Sequence, residues 1–325
     1  MSAEPARRHS RVVVATAYGG PEVLAVLDVE QPLPGAGQVL IEVQAAGTNP
    51  FDHKVYSGTM GRDPALLPMR LGAEVAGVVA ALGEGVGTDS TGAPLAVGDA
   101  VIGYRVVGGY ASQVIAGAQN VFARPENLTA EQAAGLLLTG VTAAHLLTAT
   151  RVGPGDTVLI HGAAGGVGSM ATQLAVVRGA RVIGTASTGR HEAIRALGGE
   201  PVSYGTGLAE RVRDLAPGGL DAALDTVGTD EAVDTSLELV ADRSRIATIA
   251  AFGRAPGLGI QLLGGGAGAD PGTAIRAAAR AELVALAGQG RLTVSVDRSF
   301  ALDDVAAAHT YLATGHVRGK VVLLP

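Results

Sequence analysis

The sequence predicts an α/β protein built in two styles: a β-rich first part, and a doubly wound parallel sheet that follows it. Two observations carry this. Up to about residue 125 the chain reads as short Val/Ile-rich runs separated by Gly, Pro and Asp, the punctuation of strands and turns. From residue 157 onward, continuous apolar runs such as VLI, ALD and IATIA alternate strictly with helical segments. Strands that are apolar on both faces belong to a parallel sheet covered by helices on either side. The 325 residues, 47% of them hydrophobic, suffice for two domains with sizeable cores.

Taken in order, strands are expected at 12–16, 23–29, 39–45, 76–82, 100–104 and 110–115, with an insert at 49–58. Two consecutive helices follow at 129–138 and 139–150, the first with Thr129 as its cap. The alternating part has strands at 157–161, 181–185, 201–204, 221–226, 244–250 and 258–262. Its helices are expected at 166–178, 190–197, 208–215 and 231–240. The tail gives a helix at 273–288, a strand at 293–296, a helix at 302–314 and a last strand at 320–324. The GGGAG run at 264–268 reads as a hinge or mobile loop. The expected domains are 1–125, 126–266, and a return to the first domain at 267–325.

Composition excludes several functions. A net charge of −6 and an aromatic content of 3% offer neither a basic surface nor a stacking platform for nucleic acid. There is no cysteine, hence no disulfide, thiol nucleophile or thiolate zinc site. No Gly-x-Ser-x-Gly elbow supplies a hydrolase nucleophile. The apolar runs are broken before the roughly 18–20 residues that cross a membrane. The basic start leads straight into a strand-like run without a cleavage site, so a cytoplasmic location is expected.

The central motif is Val158-Leu-Ile-His-Gly-Ala-Ala-Gly-Gly-Val-Gly168, after a strand and opening a helix. Set against G-x-G-x-x-G, its places are taken by Ala163, Gly165 and Gly168. Gly165 would let the backbone approach a pyrophosphate, and Gly168 would let the helix pack close to the strand. The N–H groups of Ala164 to Gly168 then face the phosphates. A Gly-rich turn without a ligand is the plain alternative in a chain with 48 glycines. The second strand ends Gly184-Thr-Ala-Ser-Thr-Gly-Arg190 with no carboxylate to hold a ribose 2′-OH. Ser187 and Arg190 sit where a 2′-phosphate would lie, which favours NADPH over NADH. Arg190 also reads as a solvated residue at a helix start.

The chain resembles the medium-chain dehydrogenase/reductase superfamily, and within it the zinc-free quinone oxidoreductase branch. The matching stretches run nearly end to end: Tyr18-Gly-Gly-Pro-Glu-Val-Leu, Gly47-Thr-Asn-Pro-Phe-Asp52, Leu71-Gly-Ala-Glu-Val-Ala-Gly-Val, Val97-Gly-Asp-Ala-Val, Gly108-Gly-Tyr-Ala, Gly140-Val-Thr-Ala-Ala, the 163–168 loop and Gly319-Lys-Val-Val-Leu. The resemblance implies a GroES-like catalytic domain, completed by the C-terminal part, and a Rossmann domain that binds the dinucleotide. Zinc-dependent relatives have a Cys near position 49 and a His in a Gly-His-Glu motif; here Asn49 and Ala73 stand there, so no zinc is expected. Glu74 then reads as structural.

Without a metal to polarise a simple ketone, hydride addition suits an acceptor that delocalises charge, a quinone or an α,β-unsaturated carbonyl. The resemblance implies that 49–58 lines the nicotinamide pocket, with Asn49 orienting the acceptor and often a Tyr five residues later. That later place holds Lys54, and a Tyr comes at Tyr56. Lys54, one of two lysines with Lys320, could donate to a carbonyl oxygen; it could equally belong to a surface helix start. The resemblance also puts Thr142 near the nicotinamide, Tyr204 near the adenosine phosphate, Val227 where the cofactor crosses, and Phe252-Gly253 near the carboxamide. The expected function is a metal-free NADPH-dependent reductase of a quinone, or an enoyl/enone reductase of secondary metabolism. A rival is an NADPH-binding structural or regulatory protein with little turnover. The apolar strand at 258–262, at a sheet edge, implies a homodimer.

Overall fold

The computed structural model describes residues 8–315 and 317–325; the basic start at 1–7 and His316 lie outside the described residues. The chain divides into two compact units, Met1–Leu138 with Val294–Pro325, and Thr139–Thr293.

In the first unit, Gln38–Gly47 pairs antiparallel with Glu74–Leu82, which pairs with Ala100–Tyr104, and that strand with Val121–Ala123. Gln113–Gly117 adds to the other edge of Gln38–Gly47. The last strand, Lys320–Leu324, joins antiparallel to Gln38–Gly47 and parallel to Val296–Ala301, which closes this unit with residues from both ends of the chain. A three-stranded sheet is ordered Leu24–Gln31, Arg8–Ala15, Met69–Arg70. Alternate residues of these strands, Val39, Ile41, Val75, Val79, Val101 and Val321 among them, form one buried cluster. The opposite face is largely buried as well, with Leu40, Ala76, Ile102 and Val322 at 0% exposure.

The second unit holds a six-stranded sheet ordered Glu200–Ser203, Arg181–Ala186, Thr157–His161, Ala222–Asp225, Ile246–Thr248, Gln261–Leu262. Every pairing in it is parallel. The order reverses between Thr157–His161 and Ala222–Asp225. In open parallel sheets, ligands bind at the carboxyl ends of the strands at such a switch point. Leu159, Ile183, Val202 and Ala223 of the strands are buried with Leu208 and Val212 of the helix Leu208–Leu215.

Several expectations need correction. The units change at 138/139 and 293/294, not at 125 and 266. The short helix Ala130–Ala133 stays with the first unit: a Cβ on Gly47 would lie 2.1 Å from the Ala134 carbonyl oxygen. Residues 267–293 stay with the second, because Leu283 packs onto Gly140 and the Gln173 amide brackets Thr293. That bracket also moves the strand expected at 293–296 to Val296–Ala301. The strand expected at 110–115 starts at Gln113, because Tyr110 is held in a turn by Leu71 and Val13. The edge strand expected at 258–262 is only Gln261–Leu262, since the Leu258 N–H closes a turn onto Ala255. Strands Met69–Arg70 and Val121–Ala123 were not expected. By length and composition 130–149 could cross a membrane, but 78% of its most apolar window is buried in the fold. A turn at 134–136 splits it into Ala130–Ala133 and Leu137–Ala149.

Candidate functional site

In the second unit, strand Thr157–His161 ends at Gly162, whose φ of +74° begins a tight turn. Helix Gly166–Val177 starts four residues later, with Gly165 at its N-cap and no capping side chain. Its first N–H groups, from Gly166 to Gly168, therefore have no intrahelical partner and suit an anion. A Cβ on Gly168 would lie 2.1 Å from the Gly162 carbonyl oxygen, so only glycine lets the helix come this close to the strand. A Cβ on Gly162 would in turn strike Thr226 and Val227, at 2.8 and 2.6 Å. The loops after the two switch-point strands thus meet here, the side chains of the second lying against the bare backbone of Gly162. The cradle fits a pyrophosphate: backbone donors and close approach, no carboxylate.

Apart from Thr142, on helix Leu137–Ala149, the other candidates of this unit follow strands of the same sheet in the chain. Ser187 and Arg190 lie in one turn after strand Arg181–Ala186, joined by Arg190 N–H donating to the Ser187 carbonyl at 2.9 Å. Val227 is half exposed; its N–H and that of Gly228 both donate to Asp225 Oδ1, at 2.9 and 2.8 Å. Buried Asp225 also accepts from Thr248 Oγ1 at 2.6 Å, which fixes the loop. Tyr204 is exposed, and its aromatic face projects into solvent rather than core. Phe252 packs against the glycine run: a Cβ on Gly266 would sit 2.3 Å from its ring, while Gly253 is exposed. Thr142 is buried, and its hydroxyl accepts from Arg276 at 3.2 Å. Below the loop, burial holds His161 neutral by pulling its imidazole well below the ordinary range.

In the first unit, Asn49 caps helix Pro50–Tyr56 and is buried. Its amide is engaged with a buried ion pair. Lys320 Nζ donates to Asn49 Oδ1 at 2.6 Å, to Glu74 Oε1 at 2.9 Å and to the Thr48 carbonyl at 3.0 Å. Asn49 Nδ2 donates to Glu74 Oε1 at 3.1 Å, and Glu74 Oε2 accepts from the Leu138 N–H at 2.9 Å. These bonds use the amide oxygen and one of the two hydrogens on Nδ2. Lys54 is half-buried near the end of the same helix, where a cation suits the helix dipole. Tyr56 is a correction: it is wholly buried, its hydroxyl 3.2 Å from His309 Nδ1 and its ring edge-on to His53 and His309. It belongs to the hydrophobic core cluster of the first unit.

Sequence reasoning missed this polar cluster. One signal was present: Lys320, one of two lysines, opens an apolar strand, and Glu74 opens another. It also missed Asp52 and Tyr110. Asp52 Oδ2 accepts from the Asn49 N–H at 2.8 Å and from the Tyr110 hydroxyl at 2.7 Å. Among the described residues no group of His, Asp and Glu is arranged to hold a metal ion.

Residues 35–152 match the family model described as an alcohol dehydrogenase GroES-like domain, and 197–323 that of a zinc-binding dehydrogenase. A quinone oxidoreductase of Pseudomonas aeruginosa is 35% identical over 95% of this chain and 98% of its own length. A mycobacterial protein solved in complex with NADPH is 33% identical, with a TM-score of 0.79 over 97% of this chain and 100% of that one. The CurK enoyl reductase is 27% identical, with a TM-score of 0.83 over 97% of this chain and 99% of that one.

The Asp52 contacts make a pH prediction. Burial pushes its carboxyl up to about 6, against the Tyr110 hydroxyl, the Asn49 N–H and the Lys320 charge, which pull it down. Between its ordinary value near 3.8 and about 6, the folded chain holds a proton there that the unfolded chain has released. Stability should therefore fall as pH rises through that window, the reverse of a salt-bridged carboxylate. Urea denaturation at pH 4 to 7 measures the slope, and Asp52→Asn should remove this contribution; an unchanged slope in the variant would contradict the assignment.

Proposed function

The chain belongs to the quinone oxidoreductase-like branch of the medium-chain dehydrogenase/reductase superfamily, and from that premise we propose that it is a zinc-independent, NADPH-dependent reductase of a quinone or an α,β-unsaturated carbonyl. The observation that carries this reading is the glycine cradle between Gly162 and Gly168 at the sheet's switch point. Ala164, Gly165, Gly166, Val167 and Gly168 would hold the pyrophosphate by backbone contact. Ser187 and Arg190 would take the 2′-phosphate with a hydroxyl and a guanidinium, and Tyr204 would flank the adenosine. Val227, Thr142, Phe252 and Gly253 would border the nicotinamide half.

NADPH, when bound, supplies the hydride. The chain's own part is to orient the acceptor and to stabilise negative charge growing on its oxygen. Lys54 offers an ammonium for that oxygen. Asn49 retains one amide hydrogen for the same oxygen, and Lys320 and Glu74 hold its plane fixed. Zinc-independence rests on residue types: with no cysteine, and Asn49 and Ala73 in place of ligands, the chain lacks the donors of its zinc-binding relatives. The likeness to an enoyl reductase favours an enone as the second candidate acceptor.

We further propose a homodimer with two-fold contact at the Gln261–Leu262 end of the sheet, where the Asp270 N–H already occupies the Leu262 carbonyl. Light scattering at micromolar concentration should give twice the chain mass of 32.3 kDa, and a monomer would contradict it.

Cofactor choice is tested at Arg190. Arg190→Ala should raise KM for NADPH about 10-fold or more, the value of a lost charge-assisted hydrogen bond, and change KM for NADH little. Equal affinity of the unsubstituted protein for both cofactors would defeat the assignment. Lys54→Met keeps the aliphatic stem and deletes the charge. It should lower kcat on the order of 10²–10³ with KM little changed, because the ammonium acts on charge that exists only in the transition state. A loss of less than a few-fold would make Lys54 a surface cation.

A further inference from the structure

Thr142 and His145 lie one turn apart on helix Leu137–Ala149. Facing them is Arg276, in the first turn of helix Thr273–Gly288. The two helices touch because Gly140 has no side chain: a Cβ there would be 3.0 Å from Leu283 Cδ1. Arg276 bonds to this face. Its Nη1 donates to Thr142 Oγ1 at 3.2 Å, and its Nε donates to His145 Nδ1 at 3.3 Å.

The second contact fixes the state of the histidine. A guanidinium nitrogen has no lone pair to offer, so His145 Nδ1 must be the acceptor and carries no proton. The neutral ring then bears its hydrogen on Nε2, which lies 3.4 Å from Asp270 Oδ2 and donates to it. Burial and the Arg276 charge both disfavour the imidazolium, so the ring stays neutral. Gly272, at φ +58°, lets the backbone lie against that ring; a Cβ there would be 2.2 Å from its Cε1.

Asp270 is fixed in its turn. Its Oδ1 accepts from the Gly272 N–H at 2.8 Å. Its backbone closes the neck of the glycine run: Gly264 N–H donates to the Asp270 carbonyl, and Asp270 N–H to that of Leu262, at 2.8 and 2.9 Å. Phe252 rests on this run at Gly266. One line of contacts therefore leads from the loop under Phe252, through Asp270, His145 and Arg276, to the hydroxyl of Thr142.

We propose that Arg276 is a positioning residue for the cofactor, setting the Thr142 hydroxyl, and that His145, held in its Nε2–H tautomer by Asp270, sets Arg276. The inference rests on the reading above, in which Thr142 and Phe252 border the nicotinamide. It assigns no contact between Arg276 and the reacting atoms.

The test is a double-mutant cycle read by NADPH binding, followed through the fluorescence of the reduced nicotinamide, with kcat and KM alongside. Thr142→Val and Arg276→Gln should each raise the NADPH Kd about 3- to 10-fold, the range expected for the net loss of one ordinary hydrogen bond. The double variant should be no weaker than the weaker single variant, because the two residues act as a unit. His145→Asn retains an acceptor oxygen near the place of Nδ1 and should keep most of the affinity; His145→Leu should match Arg276→Gln. Melting temperatures check folding, and Arg276→Met, which keeps an aliphatic stem and has no donor for either acceptor, replaces Arg276→Gln in the cycle should the latter not fold. Multiplying losses in the double variant, or an unchanged Kd in either Arg276 variant, would overturn the proposal. An unsubstituted protein that does not bind NADPH would overturn the cofactor reading itself, and the two failures are distinct.

Discussion

The buried pair of Lys320 and Glu74 is the constraint on which the first unit depends. Two charges removed from water are costly unless every donor and acceptor is met. Here the ammonium has three partners, Glu74, Asn49 and the Thr48 carbonyl, and the carboxylate accepts from Lys320, Asn49 and Leu138. Those partners come from four places far apart in the chain. The pair thus ties the C-terminal strand to the sheet formed by the first half of the sequence. Deleting one partner leaves the other charge buried alone, typically at 3–5 kcal/mol. The same bonds orient Asn49 at the cap of the helix that carries Lys54, so the chemistry proposed for that helix inherits its geometry from the ion pair.

The second unit is constrained differently, by the absence of side chains. Gly168 against Gly162, Gly162 against Val227, and Gly184 against Ala163 are all contacts that one methyl group would break. They bring backbone N–H groups together at the sheet's switch point, where a charged side chain would have to be desolvated. In the proposed reading, selectivity falls to the next strand end, through Ser187 and Arg190. Recognition of the phosphate chain by backbone and of the 2′-phosphate by side chains, as proposed, would separate a general function from a specific one.

How much was legible in the sequence follows from how local each cause is. The strands at 157–161 and 320–324 and the helices at 208–215 and 273–288 end where the periodicity places them. Their boundaries are set by glycines and by runs that are apolar on both faces. The glycine cradle was legible for the same reason, since its sterics lie within one turn. The unit boundary was not, because 130–149 is a nearly continuous apolar stretch and only the turn at 134–136 divides it. Tyr56 was misplaced because a buried Tyr and a pocket Tyr have the same local sequence; its partner, His309, lies 253 residues away. The partners of Asn49 lie 25 and 271 residues away, so nothing near it announced an engaged amide.

The central claim is that a fold holding NADPH in a glycine cradle reduces charge-delocalising acceptors without a metal. The direct measurement is the rate of NADPH oxidation by the purified protein with a panel of quinones, enones and simple ketones, with and without a strong chelator. Saturable turnover is expected with at least one quinone or enone, none with simple ketones, and no effect of the chelator. Saturable NADPH binding with no turnover across the panel, or turnover that the chelator abolishes, would contradict it.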